Sequence, residues 1–151
     1  MIIRDAEPKD AEKLDLLLTK LIRDEAQYDR RLNKDCVIEN NYRGRIGLDG
    51  HKAIVAEEDG EVVGYLYGFI YEIPGIYTSP IALLDALYVE EAHRRKGCAT
   101  GLISAFRTFA AENGAVQVEL KAVSANKAAV ALYSKLSFRE TKKYMTMELQ
   151  K

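Results

Sequence analysis

The stretch LDALYVEEAHRRKGCATGL, residues Leu84–Leu102, decides the fold. Through Val89 it is apolar and predicts a strand, and from Ala99 onward apolar residues recur at helical spacing. A short basic turn with Gly97 joins the two. The first N–H groups of a helix have no internal partners and carry partial positive charge, and glycine lets a ligand come close to the backbone. The turn therefore predicts an anion site suited to a pyrophosphate, although a glycine before a helix also marks a simple turn.

The side chains of this turn add to the same electrostatic pattern. Arg94, Arg95 and Lys96 place three positive charges beside the predicted helix start. Two familiar phosphate-binding loops are excluded, because no Gly-Lys-Ser/Thr follows at the required spacing and the three-glycine dinucleotide fingerprint is absent.

Working outward from this stretch, the hydrophobic pattern predicts the element order β-α-α-β-β-β-α-β-α-β-β. Helices are predicted from Pro8 to about Tyr28, over roughly Lys34–Tyr42, from Ala99 to Asn113-Gly114, and over Ala128–Leu136. Strands are predicted over Met1–Asp5, Lys52–Glu57, Val62–Tyr71, Ile81–Val89, Val116–Val123, Ser137–Glu140 and Tyr144–Leu149. This order predicts an α/β (α+β) fold, with a mixed, mostly antiparallel sheet of six to seven strands, a central parallel pair, and helices on both faces.

Composition sets the class of protein. The 151 residues suit one domain, and 48% hydrophobic residues with a net charge of -1 exclude intrinsic disorder. With 22 basic against 23 acidic residues, no positive field is present to hold nucleic acid. No apolar run approaches a membrane span, and no secretory signal is visible at the N-terminus.

The cysteines and histidines are few. Cys36 and Cys98 do not make a disulfide scaffold, so we interpret them as reduced thiols of a cytoplasmic protein. His51 and His93 are the only histidines and have no second ligand at usable spacing, so no metal site is expected.

Two motifs carry a family resemblance. The pattern Arg94-x-x-Gly97-x-Ala99 resembles the Arg/Gln-x-x-Gly-x-Gly/Ala motif of the GNAT superfamily of N-acetyltransferases, and Asn126–Phe138 resembles its Asn-x-x-Ala-x-x-Leu-Tyr-x-x-x-Gly-Phe segment. The match is close over residues 80–140 and loose over the rest of the chain. Ser137 stands where the family usually has glycine, which should alter a helix-ending turn.

The resemblance implies acetyl-CoA as the acetyl donor and the acyl-CoA N-acyltransferase fold. It implies that the pyrophosphate is wrapped by the backbone of Arg94, Arg95, Lys96, Gly97, Cys98, Ala99 and Thr100. The backbone of Leu87 and Val89 would hydrogen-bond pantetheine in a gap between splayed strands. The side chain of Asn126 would bind the pantetheine arm, cap a helix, or do both.

The resemblance also implies catalytic roles. Tyr133 matches the general acid that protonates the departing thiolate, and its alternative is a packing tyrosine. Asp85, in an otherwise apolar strand, is our candidate base for the acceptor amine, and its alternative is an exposed strand edge. A backbone N–H near Leu87 would stabilise the oxyanion. Direct attack is expected, because Cys98 lies in the predicted pyrophosphate turn and not beside the thioester.

The acceptor is less defined. Residues 23–50 and 71–80 are rich in acidic and aromatic side chains, which favours a small cationic amine, with Tyr28, Tyr71 and Tyr77 as candidate contacts. Solvated surface charge explains the same composition. The alternatives are a non-catalytic acyl-CoA-binding sensor and an acetyltransferase for protein lysines or N-termini. The resemblance also allows a homodimer.

Overall fold

The computed structural model describes residues 1–150, which divide into two compact units, residues 1–121 and the residues from Ala122 onward. The first unit contains β1 (Ile2–Asp5), α1 (Ala11–Glu25), β2 (His51–Glu58), β3 (Glu61–Tyr71), β4 (Ile81–Val89), α2 (Cys98–Glu112) and β5 (Val118–Glu119). The second unit contains α3 (Lys127–Lys135). That the chain is one domain remains a prediction.

The five strands of the first unit form one sheet in the order β1-β2-β3-β4-β5. The first three neighbouring pairs are antiparallel, whereas β4 and β5 are parallel at Ala82–Val118 and Leu83–Glu119. Parallel neighbours need a long crossover, and α2 supplies it because it lies between these strands in the chain. The predicted α/β class, with a mostly antiparallel sheet and one parallel pair, is confirmed.

Several details of the predicted sheet need correction. The described sheet has five strands, not six to seven, and its parallel pair lies at the edge, not the centre. The strand expected over Val116–Val123 is paired only at Val118–Glu119. Within residues 1–150, no strand forms at Ser137–Glu140 or Tyr144–Leu149. Alternating side chains favour a strand, but a strand also needs a hydrogen-bonded neighbour, which the pattern cannot supply.

The helix predicted over Lys34–Tyr42 is also wrong, because the region consists of turns and bends. Two of its amide groups bond to side chains of α1. The Ile38 N–H donates to Thr19 Oγ1 at 3.0 Å, and the Tyr42 N–H donates to Asp15 Oδ1 at 3.1 Å. These tertiary bonds replace the bonds that a helix would make.

Helices cover both faces of the sheet, as predicted. On one face, Leu14 of α1 packs in a buried cluster with Tyr65. On the other face, Phe106 of α2 lies so close to Gly68 that a Cβ there would be 2.4 Å from its ring. Successive side chains of a strand point to opposite faces, so β3 serves both helices. Within residues 1–150, no helix is long and apolar enough to cross a membrane.

Candidate active site

A β-bulge in β4 is centred on Asp85. Tyr67 of β3 pairs with Ala86, and Gly68 pairs with Leu84, so Asp85 has no partner residue on β3. An extra residue of this kind bends the strand and redirects a side chain. The bulge therefore lies at the residue that the sequence singled out as the candidate base.

Beyond this bulge, the outer edge of β4 is open. β5 pairs with β4 no further than Leu83, so the following residues have no strand neighbour on that side of the described sheet. The Glu90 N–H donates to Val63 O at 2.8 Å, and residues of an antiparallel strand alternate between facing and not facing their partner. The main-chain groups of Leu87 and Val89 therefore point to the open edge.

Arg94 ties the basic turn back to this strand. Its Nε donates to the Val89 carbonyl at 2.7 Å, and its guanidinium lies 5.2 Å from the centre of the Tyr88 ring. A third contact, 3.8 Å, joins Arg94 Nη2 to Asp24 Oδ2. The Arg94 side chain thus positions the turn, and the carbonyl of Val89 is already engaged.

The turn itself has unusual backbone geometry. Arg95 has φ +64° and Gly97 has φ +83°, so two residues adopt the left-handed conformation within three positions. Gly97 is the N-cap of α2, no side chain caps the helix, and no acidic residue lies in its first turn. The N–H groups of Cys98 and Ala99 therefore begin α2 without a side-chain acceptor, the arrangement that favours an anion.

Cys98 points away from this anion site. Its side chain is 2% exposed, and a Cβ added to Gly64 would lie 3.0 Å from its Sγ atom. Burial raises the pKa of the thiol, which disfavours the thiolate. These observations agree with a small packing residue and not with a nucleophile.

Asp85 is exposed at the edge of β4, as its alternative expected, although the surrounding protein removes part of its carboxyl group from water. Burial raises the pKa of its carboxyl group, and the positive charges of Arg45 and Lys121 oppose that rise. The same carboxylate helps to raise the pKa of two buried tyrosines, Tyr42 and Tyr65, after the larger effect of their own burial. A carboxyl group with a raised pKa holds a proton more readily than an ordinary aspartate does, which suits a general base.

The sequence did not reveal how the loop after α1 reaches this site. Tyr42 Oη and Tyr65 Oη are hydrogen-bonded at 2.9 Å, and the Tyr42 backbone is held by Asp15, which is 6% exposed. Asp15 adjoins the apolar stripe of α1, and Thr19 lies one turn later on the same side. These two polar residues, four positions apart, were the only feature of the sequence that indicated hydrogen bonds between α1 and the loop.

In the second unit, Asn126 caps α3. Its Oδ1 accepts a hydrogen bond from the Ala129 N–H at 3.1 Å. The capping alternative for Asn126 is therefore realised, and a pantetheine contact remains a prediction.

Tyr133 lies in the last turn of α3. The Phe138 N–H donates to the Tyr133 carbonyl at 2.9 Å, and the Ser137 N–H donates to Ser134 O at 3.1 Å. Ser137 has φ +76°, the conformation that glycine adopts in this helix-ending motif. The Tyr133 and Phe138 rings meet edge to face at 5.7 Å. The turn thus keeps its usual form despite the serine, and it fixes the Tyr133 ring.

The three candidate acceptor tyrosines come from three different segments of the first unit. Tyr71 ends β3 opposite Ile81, at the start of β4, and its hydroxyl is 3.5 Å from Glu119. Tyr28 follows α1 and is 37% exposed, whereas Tyr77 lies in the loop before β4 and is 46% exposed. Their contact with an acceptor remains a prediction.

Metal ligands do not assemble in the described part of the chain. Among residues 1–150, no group of three or more His, Cys, Asp or Glu side chains is arranged to hold a metal ion. His93 Nε2 lies 3.4 Å from Glu58 Oε2, an ordinary surface pairing.

Comparison with known proteins places this geometry in a family. The model of the acetyltransferase (GNAT) family matches residues 16–138. Aminoglycoside N(6')-acetyltransferase type 1 of Acinetobacter haemolyticus is 33% identical over 92 residues, 60% of this chain and 63% of the relative. The chain spans less than two thirds of the length of the curated relatives it matches.

Solved structures share the fold. A mutant of a Bacillus halodurans protein superimposes with a TM-score of 0.89 at 19% identity, covering 99% of this chain and 100% of that one. Aminoglycoside N-acetyltransferase AAC(6')-Iy, solved in complex with CoA, has a TM-score of 0.74 at 19% identity, covering 99% of each chain. The resemblance that the two sequence motifs carried is confirmed, and the chain belongs to the GNAT family of acetyltransferases.

Proposed function

We propose that this protein is an acetyl-CoA-dependent N-acetyltransferase that transfers acetyl to the primary amine of a small cationic molecule by direct attack. The observation that carries the proposal is the open edge of β4, followed after residues 90–97 by the start of α2, which no side chain caps. Membership of the GNAT family supports the same reaction.

The first unit offers suitable groups for a CoA molecule. Pantetheine has two amides that need hydrogen-bond partners, and the outward main-chain groups of Leu87 and the outward N–H of Val89 are of the right kind. The N–H groups at the start of α2, with Arg95 and Lys96 exposed beside them, suit the pyrophosphate. When bound, acetyl-CoA would supply the acetyl group as a thioester.

Each catalytic residue would handle one proton or charge. An alkylamine has a pKa of about 10 and must lose a proton before it attacks, so Asp85 would accept that proton directly or through water. The N–H of Leu87 would stabilise the oxyanion. Tyr133 would donate its hydroxyl proton to the departing thiolate, and Asn126 would bind the pantetheine arm while capping α3.

The acceptor is proposed from chemistry and from relatives. A curated relative acts, by its name, on aminoglycosides, which carry several amino groups. Tyr28, Tyr71 and Tyr77 are the proposed aromatic contacts for such a cation, each from a different segment. Aminoglycosides and polyamines are therefore the first acceptors to test.

A binding and turnover experiment tests the proposal. Calorimetry with CoA should give a measurable heat of binding, and an acceptor screen with acetyl-CoA should release free thiol with aminoglycosides or polyamines. Absence of CoA binding would overturn the proposal. Binding without turnover would favour a sensor, and turnover confined to peptides would favour a protein acetyltransferase.

Substitution of Tyr133 separates an enzyme from a binding module. We expect Tyr133→Phe to lower turnover by about 100-fold while CoA affinity stays unchanged, because the variant removes only the proton donor. Tyr144→Phe, in the same unit, is the matched control and should behave as wild type. An unchanged rate in Tyr133→Phe would remove this tyrosine as the acid.

We propose further that the protein works as a homodimer in the cytoplasm. The family resemblance supports the dimer. The cytoplasmic assignment is supported by Cys36 and Cys98, which are both free thiols.

A further inference from the structure

One side of α1 carries charged residues that contact the segment between β4 and α2. Lys20 Nζ donates to both carboxylate oxygens of Glu90, at 2.8 and 2.9 Å, and Lys13 Nζ lies 3.8 Å from the same carboxylate. Asp24 Oδ2 lies 3.8 Å from Arg94 Nη2. Residues 13, 20 and 24 share one side of the helix, because they are seven and four positions apart. The helix therefore presents positive charge to Glu90 and negative charge to Arg94.

The pair of Lys20 and Glu90 is the shortest of these contacts. The Glu90 side chain is 22% exposed, so the surrounding protein shields this pair from part of the solvent. The hydrogen bond to Glu90 raises the pKa of Lys20, which favours its charged form. The backbone of Glu90 is held as well, since its N–H donates to Val63 O at 2.8 Å. Glu90 is therefore fixed by both a helix and a strand.

The segment from Glu90 to Arg94 has little internal freedom. A single turn of 3-10 helix, Glu91–His93, joins the two residues. The His93 N–H donates to Glu90 O at 2.8 Å, and the Arg94 N–H donates to Glu91 O at 3.3 Å. An anchor at Glu90 therefore also restricts Arg94, where the basic turn begins.

The backbone of the basic turn needs this restraint. Arg95 has φ +64°, a conformation that is unfavourable for a residue other than glycine, and its side chain is exposed. Such a conformation persists only where neighbouring structure holds it. On the far side of the turn, buried Cys98 fixes the start of α2. On the near side, the contacts of α1 with Glu90 and Arg94 hold it.

We propose that Lys20 is a positioning residue for CoA, and that through Glu90 it holds the basic turn in the conformation that binds the pyrophosphate. This inference rests on the proposed function, because it concerns the affinity for CoA. A ligand that meets an ordered turn need not order it on binding, so order in the turn increases affinity. Lys20 acts through Glu90 and not on the reacting atoms, so it should affect the KM for acetyl-CoA and not kcat.

Lys20→Met tests this role by calorimetry with CoA and by steady-state kinetics. The variant keeps the apolar stem of the side chain but removes its charge. We expect the Kd for CoA and the KM for acetyl-CoA to rise about tenfold, while kcat stays within about twofold of wild type. Lys20→Arg, which can still donate to Glu90, should keep the wild-type affinity. Glu90→Gln should weaken binding as Lys20→Met does, and the double variant should be little weaker than either, because both changes remove one contact.

Lys52→Met is the matched control. Lys52 Nζ lies 2.9 Å from Asp5 Oδ1, so this variant loses an equally short ion pair, but one that joins β2 to β1. Its affinity for CoA should equal that of wild type. Equal weakening in Lys52→Met and Lys20→Met would overturn the positioning role, because it would reflect a general loss of stability. An unchanged CoA affinity in folded Lys20→Met would overturn it as well.

Hydrogen exchange without ligand separates this inference from the proposed function. The His93 and Arg94 amides should exchange faster in Lys20→Met than in wild type, because the anchor of their segment is lost. If wild type binds CoA but these two amides exchange equally in both proteins, only the positioning role is overturned. If wild type binds no CoA, the proposed function fails, and a role for Lys20 in CoA binding fails with it.

Discussion

A carboxylate on the bulge of β4 has a cost as well as a use. Burial raises the pKa of Asp85, so the charged form is less favourable in the folded protein than in water. A base needs that charged form, and the rate should therefore fall at acidic pH with a midpoint above the ordinary aspartate value of 3.8. In the proposed mechanism, stability and activity therefore make opposite demands on this residue.

Asp85→Asn should separate those demands. We expect acetyl transfer to fall by about 100-fold or more, because the amide cannot accept the amine proton, while CoA affinity is retained. The melting temperature at neutral pH should rise only slightly, because Asp85 is exposed and solvent screens most of its unfavourable charge. Below about pH 3.8, the unfolded value, the Asp85 carboxyl group is protonated in both the folded and the unfolded protein. Its charge then no longer affects folding, so the gain in stability of the variant should vanish there.

The control for Asp85→Asn is Asp59→Asn, in the turn between β2 and β3. Asp59 has φ +52°, a conformation that asparagine also tolerates, so the fold should be undisturbed. Its rate and melting temperature should match wild type. A full rate in Asp85→Asn would exclude this aspartate as the base.

At the residue scale, the sequence predicted which side chain is unusual but not why. A lone carboxylate in an apolar strand identified Asp85 as a candidate. Burial has the largest effect on its pKa, and the two charges that oppose this effect, Arg45 and Lys121, are about forty residues away in each direction and leave no local pattern. Neighbours so distant in the sequence can be identified only in the folded structure.

At the scale of the elements, the role of Gly97 in the turn before α2 can be tested against a matched glycine elsewhere. Gly97 has φ +83° with open space around it, and Gly60, between β2 and β3, has φ +80° with equally open space. We expect both Gly97→Ala and Gly60→Ala to lose about 1 kcal/mol of unfolding free energy, because each forces alanine into the left-handed region.

Only Gly97→Ala should also weaken CoA binding, by roughly tenfold, because its new Cβ stands where the backbone would approach the pyrophosphate. Denaturant unfolding gives the first quantity and calorimetry the second. Equal CoA affinities for the two variants would contradict the assignment of this turn.

Glycine in place of Ser137, in the turn that ends α3, should raise stability instead of lowering it. Ser137 adopts φ +76°, which glycine adopts without steric cost. Ser137→Gly should therefore stabilise the end of α3 by about 0.5 to 1 kcal/mol and slow amide exchange at Phe138, whose N–H closes the turn. Ser134→Gly, inside α3, should do the opposite by a similar amount. Destabilisation by Ser137→Gly would show that the serine side chain matters to the turn.

Elements that make their own hydrogen bonds were predictable, and those completed by distant partners were not. The strand-turn-helix around Gly97 and the Asn126 cap follow from local residues. The stretch 34–42 looked helical because nothing in it shows that Asp15 and Thr19 would take its amides. The extent of β5 likewise depends on a neighbour and not on its own alternation.

At the scale of the whole molecule, a partly buried ionic cluster joins the first strand to the rest of its unit. Arg4 of β1 contacts Asp10 at 2.9 Å and Glu57 of β2 at 2.7 Å. Asp10, 5% exposed, also accepts the Glu7 N–H at 2.7 Å just before α1. Burial alone would raise the pKa of Asp10, but its hydrogen bonds, first the one from Arg4, outweigh burial and hold the pKa below 3.8.

A lowered pKa gives the sign of the pH dependence. The stabilisation from Asp10 is present above the unfolded pKa of about 3.8 and is lost as pH falls through the folded value. Asp10→Asn should therefore cost about 3 kcal/mol of unfolding free energy at neutral pH, because it leaves Arg4 with one partner fewer. Denaturant unfolding between neutral and acidic pH should show the unfolding free energies of the variant and of wild type converging.

Glu140→Gln is the control, because it removes only an exposed pair with Lys143, and it should change stability by less than about 0.5 kcal/mol. A constant gap between Asp10→Asn and wild type at every pH would mean that packing, and not charge, holds this corner of the fold.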